Sequence, residues 1–547
     1  MQQKIARFLI RNEALLPVFI FLLFLAVSLP GVNWGAPALW NPDEMVWRVD
    51  MALGGHMQFD ETEPDFNYPS LPKYVMYAIG SLTYGMGRST FAFIVAARAF
   101  SAFLGALSGV LVYYLARMIG ANKRVSALAG LLYVVSGVAA ANGRFAHNDL
   151  YLQFFTILCV YCVVKYQYMR TARWLYASFF AVGLAASSKY TGGSLIFLPI
   201  LSFIISNWAE VRTRWLSMIG RFFLGGLVSY LGYGLGTPQS LLAPVHYFSN
   251  VINALQNLTD YGFNSGARIG LFGQWAVFEN AVGTFAYYVF ILAFLWFAVR
   301  WLTWRLGKSS FEGGRAQGVG ILLLTVLIFD LPFMISINYI ERYFIPFVSF
   351  LAILGALFIE EVIAFAKGRG WNFVQPAVIV VLVIGVAYST LRLVSISLLF
   401  LNDSRIPASE YIASIRGYQK SIEYTLYPPA IEKRRFERAH NYPIYFVEWV
   451  DDTVPTGGRF EYNQGEQGLL DRDTDFFVVD SFTYDRFYTE SICMTTPVEC
   501  DFFKRMLQGE VKNFRLLKEF TYDLPPYLPQ VSVTAVNPEI RIYERVP

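Results

Sequence analysis

The chain has 547 residues, of which 55% are hydrophobic, 17% aromatic and only 15% charged. That is well under the roughly 25% charged residues of a soluble domain, so a soluble globular protein is excluded and a polytopic membrane protein is expected. The net charge of +4 is small and the Lys and Arg residues fall in short groups, which argues against a nucleic-acid partner and makes those groups markers of membrane sidedness.

Uncharged runs long enough to enter a bilayer predict about eleven helices. After Lys4, Arg7 and Arg11 comes the run Ala14–Asn33, read as a first span rather than a cleavable leader. The others lie near Phe91–Ala116, Val125–Asn142, Leu150–Val164, Trp174–Ser188, Gly193–Trp208, Phe222–Gly236, Asn280–Val299, Gln317–Tyr339, Tyr343–Ile359 and Asn372–Leu391. Alternate links are short and basic (Arg117/Lys123/Arg124, Lys165/Arg170/Arg173, Arg212/Arg214/Arg221, Arg300/Arg305/Lys308/Arg315, Lys367/Arg369), which places them and the N-terminus in the cytoplasm. The connections 35–90, 143–148, 189–192, 237–279 and 340–342 are then extracytoplasmic, and an odd helix count puts the C-terminal part there too. From Asn402 the composition is that of a soluble α/β domain, with strand-like runs such as Phe476-Phe477-Val478-Val479-Asp480. On that side a Cys493–Cys500 disulfide is expected, whereas Cys159 and Cys162, inside an uncharged run, read as apolar core.

The first outer loop, 35–90, is long enough to be structured. It holds Trp40-Asn41-Pro42-Asp43-Glu44-Met45-Val46-Trp47. Asn41 as cap and Pro42 at the first position predict a helix over Pro42–Leu53, with another after Pro72 and with Trp40 and Trp47 as interfacial anchors. Asp43 and Glu44 would then sit in a first turn, where the helix dipole favours anions. Alternatively one of them faces a membrane-level cavity as a general base or metal ligand while the other supports it.

The second outer connection, Asn142-Gly143-Arg144-Phe145-Ala146-His147-Asn148-Asp149, packs a cation, an imidazole and an acid between two helices. His147 is either a solvated loop residue or a contact to substrate or metal, with Asp149 beside it. No zinc-ligand spacing occurs. Arg98, Lys189, Arg268 and Arg342 lie on the outer side, where the topology rule does not place cations. Together they point to an anionic ligand there, guanidinium forks being suited to phosphate oxygens. Asp330 is the one acid well inside a span, where a partner or a cavity is expected.

These segments, with Asn67-Tyr68-Pro69-Ser70-Leu71-Pro72, Glu341-Arg342-Tyr343-Phe344-Ile345-Pro346 and Asn402-Asp403-Ser404-Arg405, resemble the GT-C glycosyltransferases. Within them the protein O-mannosyltransferase and aminoarabinose transferase group is the most similar. The resemblance implies a GT-C-like membrane domain over 1–401 with an extracytoplasmic domain over 402–547. It further implies inverting transfer of a sugar from a polyprenyl-phosphate donor to a glycan, lipid or protein acceptor at the outer face of a cytoplasmic or ER-type membrane. By the same analogy Asp43 is the catalytic carboxylate and Glu44 its neighbour. Arg98, Arg144, His147, Asp149, Lys189, Arg342 and Tyr343 become contacts to substrate or carrier phosphate. The resemblance fixes no cofactor; a divalent metal is an option, with Asp43, His147 and Asp149 as candidate ligands. The chain departs from the aminoarabinose branch in having Tyr68 where that branch has Lys, and it lacks the WWD triplet of the oligosaccharyltransferases. A lipid-linked sugar flippase or transporter is the alternative, disfavoured by the absence of repeated halves and by charges gathered at the outer rim.

Overall fold

The computed structural model describes residues 14–55, 68–208, 213, 215–260, 270–308, 311–334, 340–442, 465–488, 490, 493 and 497–546. Lys4, Arg7, Arg11, Asn67, Arg212, Arg214 and Arg268 lie outside them. The described chain forms two compact units. One runs to Asn33 and over Glu44–Leu255 and Gly270–Ser397, and the other joins Trp34–Asp43 to Leu398–Pro547.

The first unit is helical. A helix lies in each of the eleven predicted runs. Among the described residues, six segments are long and apolar enough to cross a membrane on length and composition: Thr90–Met118, Asp149–Met169, Thr284–Arg305, Gly313–Leu331, Glu341–Gly368 and Val374–Ser414. Three expected helices differ in detail. The Val125–Asn142 run divides into Lys123–Val135 and Val138–Asn142 at Gly137, and the run from Asn280 divides at Gly283 between Gly270–Val282 and Thr284–Arg305. Both glycines have positive φ, 86° and 81°, which other residues adopt only under strain. Both also lie against Arg392, whose NH1 would be 2.8 Å from a Cβ at Gly137 and whose Cδ would be 2.9 Å from one at Gly283. Arg392 donates to Ser136 O at 3.3 Å, Ala281 O at 3.2 Å and Asn280 O. It thus supplies donors to carbonyls that the two broken helix ends cannot satisfy themselves. The third difference is the Gly193–Trp208 run, which opens as a 3₁₀ turn over Tyr190–Ile196 before the Phe197–Ser206 helix.

Polar side chains join the buried helices, as expected where lipid offers no alternative partner. The Tyr133 hydroxyl lies 3.1 Å from Gly105 O and 2.9 Å from Gln153 Oε1, while Gln153 Nε2 donates to Ile345 O at 2.7 Å. Asp330 has the Gln274 side chain as a hydrogen-bond partner.

The second unit holds a five-stranded mixed sheet, β1 (Ser421–Tyr424), β2 (Arg438–Asn441), β3 (Phe476–Asp480), β4 (Phe514–Phe520) and β5 (Ile540–Arg545). Its order is β2-β1-β3-β5-β4, with β2, β1 and β3 parallel and β5 antiparallel to its neighbours. Strand β3 is buried throughout because both faces are covered. Phe476 and Val478 pack with Ala408 and Ile412 of the Arg405–Ser414 helix, and Phe477 and Val479 with Phe502 and Phe503 of the Pro497–Gln508 helix. That two-sided burial explains a continuous apolar strand rather than an alternating one. Cys493 and Cys500 are disulfide-bonded with Cα atoms 5.4 Å apart, whereas Cys159 and Cys162 are free and buried.

An ion pair without solvent exposure, Arg405–Asp403 at 2.7 Å, holds Trp34–Asp43 inside this unit. Asp403 accepts from Trp34 Nε1 at 2.8 Å and from Asn537 N at 2.7 Å, and Arg405 donates to Trp40 O at 3.2 Å and Ala535 O at 2.8 Å. The guanidinium also lies 4.6 Å from the Trp40 ring. Trp40 is therefore a buried residue of this unit and not the membrane anchor expected of it.

Candidate functional site

The WNPDEMVW segment does not start a helix at Pro42. Asn41 Oδ1 accepts the Asp43 N–H at 3.0 Å, a local turn that competes with helix, and the helix begins at Val46 and ends at Leu53. Asp43 is exposed in that turn. Glu44 is wholly buried: its carboxylate takes Arg98 Nε at 2.8 Å, Arg98 NH2 at 2.7 Å and the Ala146 N–H at 2.8 Å. The adjacent acids thus have separate fates. Glu44 positions the loop that carries His147, and it does so through the fork geometry that suits guanidinium to carboxylate.

This corrects two expected phosphate contacts. Arg98, at 0% exposure, is committed to Glu44 and to Val32 O at 3.1 Å. Arg144, also at 0%, donates to Pro30 O at 2.7 Å, Val27 O at 2.6 Å, Ala140 O at 3.0 Å and Ser397 Oγ at 2.7 Å. Burial pulls its pKa down to about 9, which leaves it charged at neutral pH. Two of those carbonyls belong to the end of the Leu15–Ser28 helix and the turn after it, so Arg144 serves as a cap.

The remaining predicted residues do converge. Asp149 opens the Asp149–Met169 helix. Lys189 joins the Ala172–Ser188 helix to the 3₁₀ turn that follows, and Arg342 and Tyr343 lie in a 3₁₀ turn over Glu341–Phe344. Lys189 Nζ donates to Asp149 Oδ1 at 2.7 Å, His147 Nδ1 lies 2.8 Å from Asp149 Oδ2, and Arg342 Nε is 3.9 Å from that oxygen. Arg342 NH1 lies 3.5 Å from His147 Nε2. The Lys189 ammonium sits 5.2 Å from the Tyr343 ring centroid, and the Tyr68 ring meets His147 edge-on at 5.3 Å.

The partners assign the imidazole as neutral, Nδ1–H facing Asp149 and Nε2 accepting from Arg342. Burial, aided by Arg342 and Lys189 and opposed by Asp149, holds its pKa below the usual histidine value. The lysine and arginine side chains keep 18% and 16% exposure.

Both Asp149 oxygens are taken by Lys189 and His147, and among the described residues no three His, Cys, Asp or Glu side chains gather into a metal-sized group. Asn148, between His147 and Asp149, has a fully buried amide with no hydrogen-bond partner among the described residues. Sequence reading gave that residue no role, because an Asn in a polar triplet carries no sign that it will be buried.

Asp43 belongs to the other unit. There Tyr427, just after β1, has its pKa raised by burial, lowered by Arg486 and raised again by the Asp43 charge. Arg486 NH2 lies 3.4 Å from the Tyr427 hydroxyl, and the Tyr427 and Phe482 rings meet edge-on at 5.4 Å. Nothing in the sequence pairs these positions, which are separated by hundreds of residues from Asp43.

Residues 43–232 match the family described as dolichyl-phosphate-mannose-protein mannosyltransferase. An uncharacterized protein of Aquifex aeolicus is 25% identical over 192 residues, 34% of this chain and 37% of that protein's length. An Archaeoglobus fulgidus oligosaccharyltransferase, solved tethered to an acceptor peptide containing the NVT sequon, aligns with a TM-score of 0.52 at 12% identity, covering 90% of this chain and 72% of that one. That likeness shows a shared fold. ArnT from Cupriavidus metallidurans, solved bound to undecaprenyl phosphate, aligns over 97% of both chains at 13% identity with a TM-score of 0.44. The family match and the shared fold bear out the expected resemblance to the GT-C glycosyltransferases.

Proposed function

From a chain whose residues 43–232 match the dolichyl-phosphate-mannose-protein mannosyltransferase family, we propose a membrane glycosyltransferase that moves a sugar, with inversion, from a polyprenyl-phosphate donor to a nucleophile on the extracytoplasmic face. The observation that carries this reading is the Lys189–Arg342 pair, positioned by Asp149 and His147 and partly exposed. In the reaction these two cations hold the carrier phosphate and neutralise the charge that grows on it as the glycosidic bond breaks. Asp43, exposed in its turn, accepts the proton of the acceptor hydroxyl as that oxygen attacks the anomeric carbon. The acceptor lies outside what the residues define. A flippase would need no base at Asp43 and no fixed phosphate site on one side.

Lys189→Ala and Arg342→Ala are each expected to weaken binding of undecaprenyl phosphate by about 1.5–3 kcal/mol, the worth of one charge-assisted contact. Arg98 is expected to act on stability instead. Titration of the purified variants with undecaprenyl phosphate checks this, and unchanged affinity in both would remove the phosphate site from its proposed place.

The membrane arrangement proposed with it has about eleven spans and places Asn402 onward outside the cell or in the lumen. The Cys493–Cys500 bond supports that side, since disulfides persist in oxidising compartments. A cysteine introduced at exposed Glu510 is expected to react with a membrane-impermeant maleimide in intact cells; protection until the membrane is opened would reverse the topology.

A further inference from the structure

A cavity that the transfer reaction does not use lies at the C-terminal end of the Thr284–Arg305 helix. It has a volume of about 860 Å³. Leu292, Leu295 and Val299 of that helix line it together with Phe358 of the Ile345–Gly368 helix, and Arg300 and Lys308 line its end. A second cavity, of about 840 Å³, shares Leu292 and Phe358 with the first and continues past Tyr288 along the Val374–Leu401 helix. From Arg300 back to Tyr288 the helix rises about 18 Å at about 1.5 Å per residue, against about 15 Å for half of a bilayer's hydrocarbon core.

Bonded side chains build the polar end of the cavity. Glu361 Oε2 accepts from Trp296 Nε1 at 2.8 Å and from Arg300, whose guanidinium also lies 4.6 Å from the Phe311 ring centroid. One carboxylate thus holds an indole and a guanidinium beside the cavity and offsets the guanidinium's charge. Lys308 is exposed, and among the described residues it joins no ion pair, so its charge is the one left for a ligand. Nearby, the Arg305 guanidinium lies 5.7 Å and 5.9 Å from the Trp301 and Trp304 rings, and tryptophans gathered with cations are typical of a helix end at the level of lipid head groups. Along the Ile345–Gly368 helix Glu361 lies about 24 Å from Ile345 at about 1.5 Å per residue. This end is therefore remote from the turn that carries Arg342 just before Ile345.

We propose that this cavity binds one anionic glycerophospholipid, with its phosphate at Lys308 and Arg300 and an acyl chain running past Leu292 into the adjoining cavity. The distance from Arg342 sets it apart from the donor site. Only the choice of leaflet rests on the membrane arrangement proposed above, in which this end is cytoplasmic. An acyl chain enters an apolar crevice whatever head group it carries. Selection comes from the cations at the crevice's end, and basic pockets between membrane helices on the cytoplasmic side suit anionic head groups. A helix from a second copy of the chain would cover the apolar wall and supply no anion to Lys308.

Native mass spectrometry of the purified full chain, titrated with phosphatidylglycerol or with phosphatidylcholine of the same acyl chains, tests this on either leaflet assignment. One phosphatidylglycerol is expected to be retained in preference to phosphatidylcholine. Lys308→Gln is expected to weaken phosphatidylglycerol roughly fivefold, the worth of one cation near an anionic lipid, and to leave phosphatidylcholine unchanged. Lys308→Arg should restore the preference, and Leu295→Trp, which fills the cavity, should weaken both lipids. Undecaprenyl phosphate should bind the Lys308→Gln chain as it binds the parent, so a failure of Lys189→Ala to affect that carrier would strike the donor site and not this one. Equal retention of the two phospholipids by the parent, or a preference that survives Lys308→Gln, would overturn the proposal. So would loss of undecaprenyl phosphate in Lys308→Gln, which would give the cavity to the carrier, or a lipid-free dimer that Leu295→Trp dissociates, which would give it to a second copy.

Discussion

Asp43→Asn enzyme is expected to bind undecaprenyl phosphate like the parent chain and to transfer sugar at least about 100-fold more slowly, the usual loss when a general base cannot take its proton. Asparagine keeps the size and the hydrogen-bonding shape of the turn and removes only the basicity. The structure sharpens the prediction. Had Asp43 stood in the first turn of a helix, losing its charge would cost up to about 1 kcal/mol of stability through the dipole. The helix starts three residues later, at Val46, and Asp43 is exposed, so the unfolding midpoint should hardly move. Steady-state transfer and thermal unfolding measured on one preparation decide it, and near-normal turnover removes Asp43 from the chemistry.

Breaking the Glu44–Arg98 pair should act in the opposite way. Both side chains are at 0% exposure and bonded through two N–H···O contacts. Arg98→Met leaves a buried carboxylate without its cation, which typically costs about 3–5 kcal/mol. Glu44→Gln combined with Arg98→Met removes both charges, and much of that loss should return, because a neutral pair has no isolated charge to desolvate. A double-mutant cycle by thermal unfolding in detergent reads the coupling. A fully stable Arg98→Met chain with poor donor affinity would instead return Arg98 to the phosphate.

Composition and the spacing of basic links made the helical membrane unit legible, and the run Phe476–Asp480 made the sheet legible, because hydrophobic period and charge placement are local properties. The convergence of His147, Asp149, Lys189, Arg342 and Tyr343 could be anticipated only as a shared outer location. Which of those cations stays partly exposed could not, since Arg98, Arg144, Lys189 and Arg342 look alike in sequence and differ in what long-range packing sets against them. Glu44 takes one arginine and helix-end carbonyls take another. The same limit hid Arg392, whose carbonyl partners lie more than 100 residues away, and the contacts of Arg405 to the carbonyls of Trp40 and Ala535. It also hid the turn at Asn41, where a local side-chain bond defeats the helix start that Pro42 favours.

The central claim, group transfer from a lipid phosphate at the Lys189–Arg342 site, is tested most directly in sealed vesicles holding the purified chain. They are loaded with a panel of radiolabelled polyprenyl-phosphate sugars and supplied with extracytoplasmic extract as acceptor. The account predicts that the label of one donor leaves the lipid fraction and appears on a water-soluble, protein or lipid acceptor, with free polyprenyl phosphate formed in equal amount, and that Arg342→Ala suppresses this. Donor that crosses the bilayer with its sugar still attached, and no acceptor labelling, would contradict it.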